Sequence, residues 1–144
     1  MTGSAPRLRL PARALVPGAA RGRLLVLAEP LSLWGGLDPA SGRIIDRRHP
    51  QAGARVSGRV LALPHGRGSS SASSVLLEAV RLATAPAAIL LAESDPILAL
   101  GAAVARELYG RGPPVVVLDG DGFGRLEDGG EVAVVEGGER VILC

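Results

Sequence analysis

The sequence predicts an α/β domain with two β layers: a parallel sheet carrying helices on one side, and a second, largely antiparallel layer against the other. Three observations predict it. Between residues 59 and 118, apolar runs of strand length alternate with runs of helical period, and strands separated by helices belong to a parallel sheet with right-handed crossovers. The segment from Glu131 to Leu143 reads instead as a hairpin, and extended segments open the chain, so these strands need an antiparallel layer of their own. A length of 144 residues with 47% apolar content is enough for one domain core, expected to span residues 1–144.

Taken in order, Leu8 to Leu10 and Ala12 to Val16 read as an extended segment interrupted by Pro11, which suits a sheet edge. Arg23 to Leu27 is a strand, and Glu29-Pro30 closes it because the residue before a proline is pushed out of helical conformation. Leu31 to Gly42 reads as a loop, with the only tryptophan, a Gly-Gly pair and an Asp-Pro-x-x-Gly turn signal. Arg43 to Asp46 is a short strand leading to the basic corner Arg47-Arg48-His49-Pro50, a solvated turn or an anion contact. Strand Arg59 to Leu63 precedes a helix whose buried stripe is Val75, Leu76, Ala79, Val80 and Ala83, expected to run to Ala83 or Thr84 before Pro86.

Ala87 to Ala92 is a strand covered on both faces, and Ser94-Asp95-Pro96 is a helix start with a capping aspartate and a proline at the first helical position. Ile97, Leu100, Ala103, Val104 and Leu108 are the expected buried stripe of that helix, which Gly110 and Gly112-Pro113-Pro114 stop. Val115 to Leu118 is the next buried strand. Asp119-Gly120-Asp121-Gly122 resembles the opening of a calcium loop, but Gly130 stands where the bidentate glutamate would be needed, so it reads as a turn. Gly137-Gly138 supports the final hairpin.

The stretch Pro64 to Ser74 joins a strand to a helix with glycines and a run of small or hydroxylated residues. Glycines let the backbone approach a ligand closely, and a helix start presents unpaired amides that attract anions. Composition narrows the alternatives. The net charge is only +2, every basic residue is arginine, and no basic cluster is interleaved with aromatics, which argues against nucleic acid. The sole cysteine, Cys144, supplies neither a disulfide framework nor a metal-ligand set. No segment reaches the ~18 apolar residues of a membrane span, and the expected location is cytoplasmic.

Three groups of residues carry a resemblance. They are Glu29-Pro30-Leu31-Ser32-Leu33-Trp34-Gly35-Gly36-Leu37-Asp38-Pro39, then Gly42-Arg43-Ile44-Ile45-Asp46 with His49-Pro50, then Gly66-Arg67-Gly68-Ser69-Ser70-Ser71. Together, in this order and over about Arg23 to Val117, they resemble the small subunit, or swivel domain, of the aconitase X family. The resemblance implies a swivelling β/β/α fold, which agrees with the two-layer reading. It also implies dehydration of a small hydroxy acid, mevalonate 5-phosphate or cis-3-hydroxy-L-proline, in complex with a large catalytic subunit that carries an iron-sulfur cluster. No cofactor is expected on this chain.

In related aconitases the serine directly after the glycine of a Gly-Ser-Ser motif is the catalytic base, and the matching residue is Ser69. The arginine that follows the two serines there is Ser71 here, so its substrate-binding role does not transfer, and Arg67 is only a candidate for it. Gly68, Ser70 and Ser71 are the further candidates for holding an anionic group, although ordinary first-turn residues look the same. Trp34, Gly35, Gly36, Asp38 and His49 are candidates for a lid or a contact with the large subunit. His49 and His65 are as readily hydrogen-bonded structural histidines, and Ser69 is as readily a helix N-cap.

Two other functions are weighed against this one. A phosphohistidine carrier of similar architecture places its histidine after the glycines, whereas His65 precedes them. A non-catalytic phosphate-binding module would need a loop of another kind, since the lysine of a P-loop and the glycine spacing of a dinucleotide fingerprint are both missing.

Overall fold

The computed structural model describes residues 8–66 and 70–144. Strand β1 (Leu8–Pro11) runs through Ala12 into β2 (Arg13–Val16), and β3 (Ala20–Val26) follows. A kinked turn, α1 (Leu33–Gly36), leads to the short ribbon of β4 (Leu37–Asp38) and β5 (Arg43–Ile44). Then come β6 (Val60–Leu63), α2 (Ala72–Arg81), β7 (Ala88–Leu91), α3 (Pro96–Tyr109) and β8 (Val115–Val117). The chain finishes with α4 (Gly120–Gly124), β9 (Glu131–Val135) and β10 (Arg140–Leu143).

Strands β3, β6, β7 and β8 are parallel neighbours, with β2 antiparallel at the far edge. Strands β1, β10, β9 and β3 form the antiparallel layer. Strand β3 serves both: Ala20 to Arg23 pair with β9, and Leu24 to Val26 pair with β6. β1 and β2 sit at opposite ends of the strand order, so the chain bends at Pro11 and Ala12 from one layer into the other. Proline is tolerated there because a strand with one neighbour has a row of N–H groups with no ladder partner.

The central strands show why the sequence has near-continuous apolar runs. Side chains alternate between faces, so Val60 and Ala62 of β6 and Ala88 and Leu90 of β7 turn toward the antiparallel layer, where they meet Leu24, Val132, Val134 and Val141. Leu61, Leu63, Ile89 and Leu91 turn the other way and meet Leu76, Leu98 and Ala102 of the helices. Each leucine so enclosed contributes about 1.5–3 kcal/mol of transfer free energy. The β/β/α layering expected from the sequence is therefore the observed one, with α2 and α3 on one face of the parallel sheet.

Three helix details differ from expectation. Helix α2 stops at Arg81 instead of Ala83 or Thr84: Ala83 takes a left-handed conformation (φ 60°), and Ala83 is exposed. The Arg111 guanidinium covers the last carbonyls, donating to Val80 O at 2.9 Å and Arg81 O at 3.2 Å. Helix α3 starts at Asp95 and Pro96 as expected, but its inner face is Leu98, Gly101, Ala102 and Ala105. The larger Leu100 and Leu108 are exposed. Close approach to α2 decides the face, because a β-carbon on Gly101 would lie 2.9 Å from the Ser73 carbonyl oxygen. The Asp119 turn is a short helix, α4, with Asp119 accepting the Gly122 N–H at 2.6 Å.

Candidate active site

The parallel strands β3, β6, β7 and β8 all end at one edge of their sheet, the edge at which α/β sheets bind ligands. Three loops meet there: Ala28 to Gly36 after β3, Pro64 to Gly66 after β6, and Ala92 to Asp95 after β7. They are fastened to one another through backbone. Leu31 and Gly66 form a parallel bridge. Pro64 O accepts both Ala92 N–H, at 3.0 Å, and Glu93 N–H, at 3.1 Å.

In the loop after β6, Arg67, Gly68 and Ser69 lie outside the described residues. Their flanks are clear. The N-cap of α2 is Ser71, which makes no side-chain cap bond, and the first turn is built on Ser70 and Ser71: Ser70 O accepts Ser73 N–H at 3.3 Å and Ser73 Oγ–H at 2.9 Å, and Ser71 O accepts Ser74 N–H at 3.0 Å. Ser70 is exposed and Ser71 half-buried. Ser69 thus precedes the capping position by two residues in sequence. On the other flank, His65 donates from Nδ1 to the Gly66 carbonyl at 2.7 Å.

The loop after β3 divides into an inside and an outside. Leu31, Leu33 and Leu37 are buried in the same apolar cluster as Ala72, Val75 and Leu76 of α2, while Trp34 is 60% exposed. Trp34 is therefore not part of the core. Gly35 has φ 78° and open space where a side chain would stand, whereas a β-carbon on Gly36 would lie 2.9 Å from Leu31 Cδ1. Asp38 closes the β4–β5 turn, accepting Ala40 N–H at 3.1 Å and Ser41 Oγ–H at 2.8 Å. The Ser41 hydroxyl, and after it the Ala40 N–H, hold the Asp38 carboxyl below its usual range.

His49 is only 6% exposed. Its Nδ1 accepts Gln51 N–H at 3.0 Å, which puts the proton on Nε2, and Nε2–H donates to Glu29 O at 3.0 Å. Gln51 extends the fastening, since its side chain accepts from Ala28 N–H at 3.2 Å and donates to Val26 O at 2.9 Å. Arg47 and Arg48 of the basic corner are exposed.

Among the described residues no group of His, Cys, Asp or Glu side chains is placed to hold a metal ion, and the exposed Cys144 is the one cysteine of the sequence. The donor set for a cluster is not found in this chain's described residues. The family model for the aconitase X swivel domain matches residues 9–143. The chain belongs to that family. Crystalline aconitase X of Thermococcus kodakaraensis, in its holo form, superposes with a TM-score of 0.85 at 31% identity, covering 95% of this chain and 98% of that one.

Two kinds of relative are similar to this swivel domain. The phosphomevalonate dehydratase small subunit of Methanothermobacter thermautotrophicus is 43% identical over 85% of the chain and 89% of the relative. A cis-3-hydroxy-L-proline dehydratase of Pseudomonas aeruginosa is 55% identical over 79% of the chain, of which the match spans only 20% of that relative's length.

Of the sequence-predicted residues, Ser70 and Ser71 stand at the junction edge, and Trp34 and Gly35 form the exposed tip of the neighbouring loop. Gly36 packs against Leu31 in that loop, Asp38 closes the β4–β5 turn, and the buried His49 reaches the loop from its own corner through Glu29 O. The reading of the sequence missed Gln51, whose side chain ties Ala28 N–H and Val26 O together. Gln51 carries no spacing signal, because it acts on a strand end 25 residues away that only folding brings to it.

Proposed function

We infer that this swivel domain is the small subunit of a two-subunit dehydratase that removes water from a small hydroxy acid, with Ser69 as the base. The observation that carries the reading is the convergence of three loops on the start of α2, at the ligand-binding edge of a sheet of the aconitase X swivel family. Relatives matched over nearly their full length are named small subunits, which supports a large-subunit partner. The iron-sulfur cluster that the family implies would then be held by that partner.

On this chain the work is proton removal and anion binding. The Ser69 oxygen takes the proton from the carbon next to the substrate carboxylate, and the electrons of that C–H bond form the double bond as the hydroxyl leaves the adjacent carbon toward the partner's side, where the cluster would accept it. The amides and hydroxyls of Ser70 and Ser71 hold the carboxylate at the helix start. The helix terminus contributes at most ~2 kcal/mol, about 1.5 pKa units, which is too little to ionise a serine alone. Arg67 and charges from the partner supply the remainder. Trp34 and Gly35 face the large subunit.

The test is Ser69→Ala in the complex reconstituted with the large subunit, assayed on cis-3-hydroxy-L-proline first, because of the 55% identity, and on mevalonate 5-phosphate second. Turnover is expected to fall by ~10²- to 10⁴-fold with the fold and substrate affinity retained. A stability loss of ~0.5–2 kcal/mol with turnover intact would make Ser69 a structural residue. If Ser70→Ala abolishes turnover while Ser69→Ala stays within about tenfold, the base is Ser70.

A further inference from the structure

The turn from β7 into α3 places the Asp95 carboxylate between its own helix and the loop after β6. Its Oδ1 is engaged with the helix, accepting Ile97 N–H at 2.9 Å and Leu98 N–H at 3.1 Å. Its Oδ2 points the other way. A β-carbon built on Gly66 would collide with Oδ2, and the same point lies 3.1 Å from Asp95 Cγ and 3.5 Å from Leu98 Cδ1. Oδ2 therefore rests against the Gly66 α-carbon, and among the described residues it accepts no hydrogen bond.

This contact explains a glycine that backbone conformation does not. Gly66 is absent from the residues with positive φ, unlike Gly35 or Gly110, so an ordinary residue could take its backbone angles. What forbids a side chain is the carboxylate of the next loop. The residue is pinned from its other neighbours too, by the bridge to Leu31 and by the bonds from Ala92 and Glu93 to Pro64 O. Gly66 is the last described residue before Ser69, three positions earlier in sequence.

We propose that Asp95 is a positioning residue for the serine loop: Oδ1 ties it rigidly to α3, and Oδ2 is the stop against which Gly66 is set. The proposal rests on Ser69 as the base. A shift of an ångström in a reacting group costs about 10²-fold in rate, which gives the stop a measurable weight in catalysis. The role is one of shape, so an isosteric side chain should fill it.

The experiment compares Asp95→Asn, Asp95→Ser, Gly66→Ala and the double variant Gly66→Ala/Asp95→Ser in the reconstituted complex. Serine keeps the helix cap but removes the stop. Asp95→Ser is expected to lower kcat by about 10- to 100-fold with KM within about threefold, and Asp95→Asn to stay within about threefold of the wild type. Gly66→Ala should lose at least as much as Asp95→Ser, and the double variant should lose no more than the worse single one. Amide exchange at Gly66 should quicken about tenfold in Asp95→Ser, while Ile97 and Leu98 keep their protection. Wild-type exchange and kcat in Asp95→Ser, or a Gly66→Ala loss that is the same with and without Asp95→Ser, would overturn the proposal. Should the wild-type complex be inert on both substrates, the dehydratase reading fails, and the exchange rates still decide whether Asp95 sets the loop. If Asp95→Ser does not fold, Asp95→Thr, which also keeps a capping hydroxyl and lacks the second carboxylate oxygen, takes its place in the exchange comparison.

Discussion

A single imidazole shows how tightly the loop beside the site is held. His49 uses both ring nitrogens on backbone groups of Glu29 and Gln51 while almost fully buried. Removing it leaves two backbone groups without their partner, each costing about 1–3 kcal/mol. His49→Ala is therefore expected to lower the unfolding free energy measured in urea by at least about 2 kcal/mol, while the folded complex keeps turnover within about threefold. Unchanged stability with lost assembly would instead make His49 a contact of the large subunit. The sequence allows either role, because nothing in Arg48-His49-Pro50 reveals that Glu29 O will arrive from another part of the chain. Gly66 has the same character: its need for bareness is written in Asp95, beyond the reach of any local reading.

Among the elements, strands and helix starts were legible because each is a local choice. Asp95-Pro96 caps and opens α3 as read, and the apolar runs at β6 and β7 report burial on both faces. The inner face of α3 was not legible. Ranking residues by hydrophobicity selects Leu100 and Leu108, but the tight crossing with α2 selects Gly101, Ala102 and Ala105, which no one-helix pattern encodes. The loop after β3 carries the element-scale prediction. Its exposed Trp34 stands on buried Leu31, Leu33 and Leu37, a rigid base for a docking side chain. Trp34→Ala should leave the melting temperature within about 2 °C and weaken binding of the large subunit by at least about 30-fold, as measured by calorimetric titration, the loss of an aromatic hot spot. A large drop in melting temperature with unchanged binding would refute this.

For the whole molecule, two buried clusters on either side of the parallel sheet give the chain a core of its own, whereas its described residues gather no metal-ligand set. The isolated chain is expected to unfold cooperatively in denaturant yet turn over neither cis-3-hydroxy-L-proline nor mevalonate 5-phosphate, with activity appearing on addition of the large subunit. Turnover by the purified chain alone would refute the two-subunit reading. The antiparallel layer has one more consequence, for synthesis in the cell. Leu8 is paired with Leu143, and Leu10 with Val141, so the domain's first strand stays without a partner until its last has been made. Until that moment Leu10, buried in the finished fold, lacks the cover of Val141. Such end-to-end pairing raises the contact order, which makes folding slow for the size of the domain.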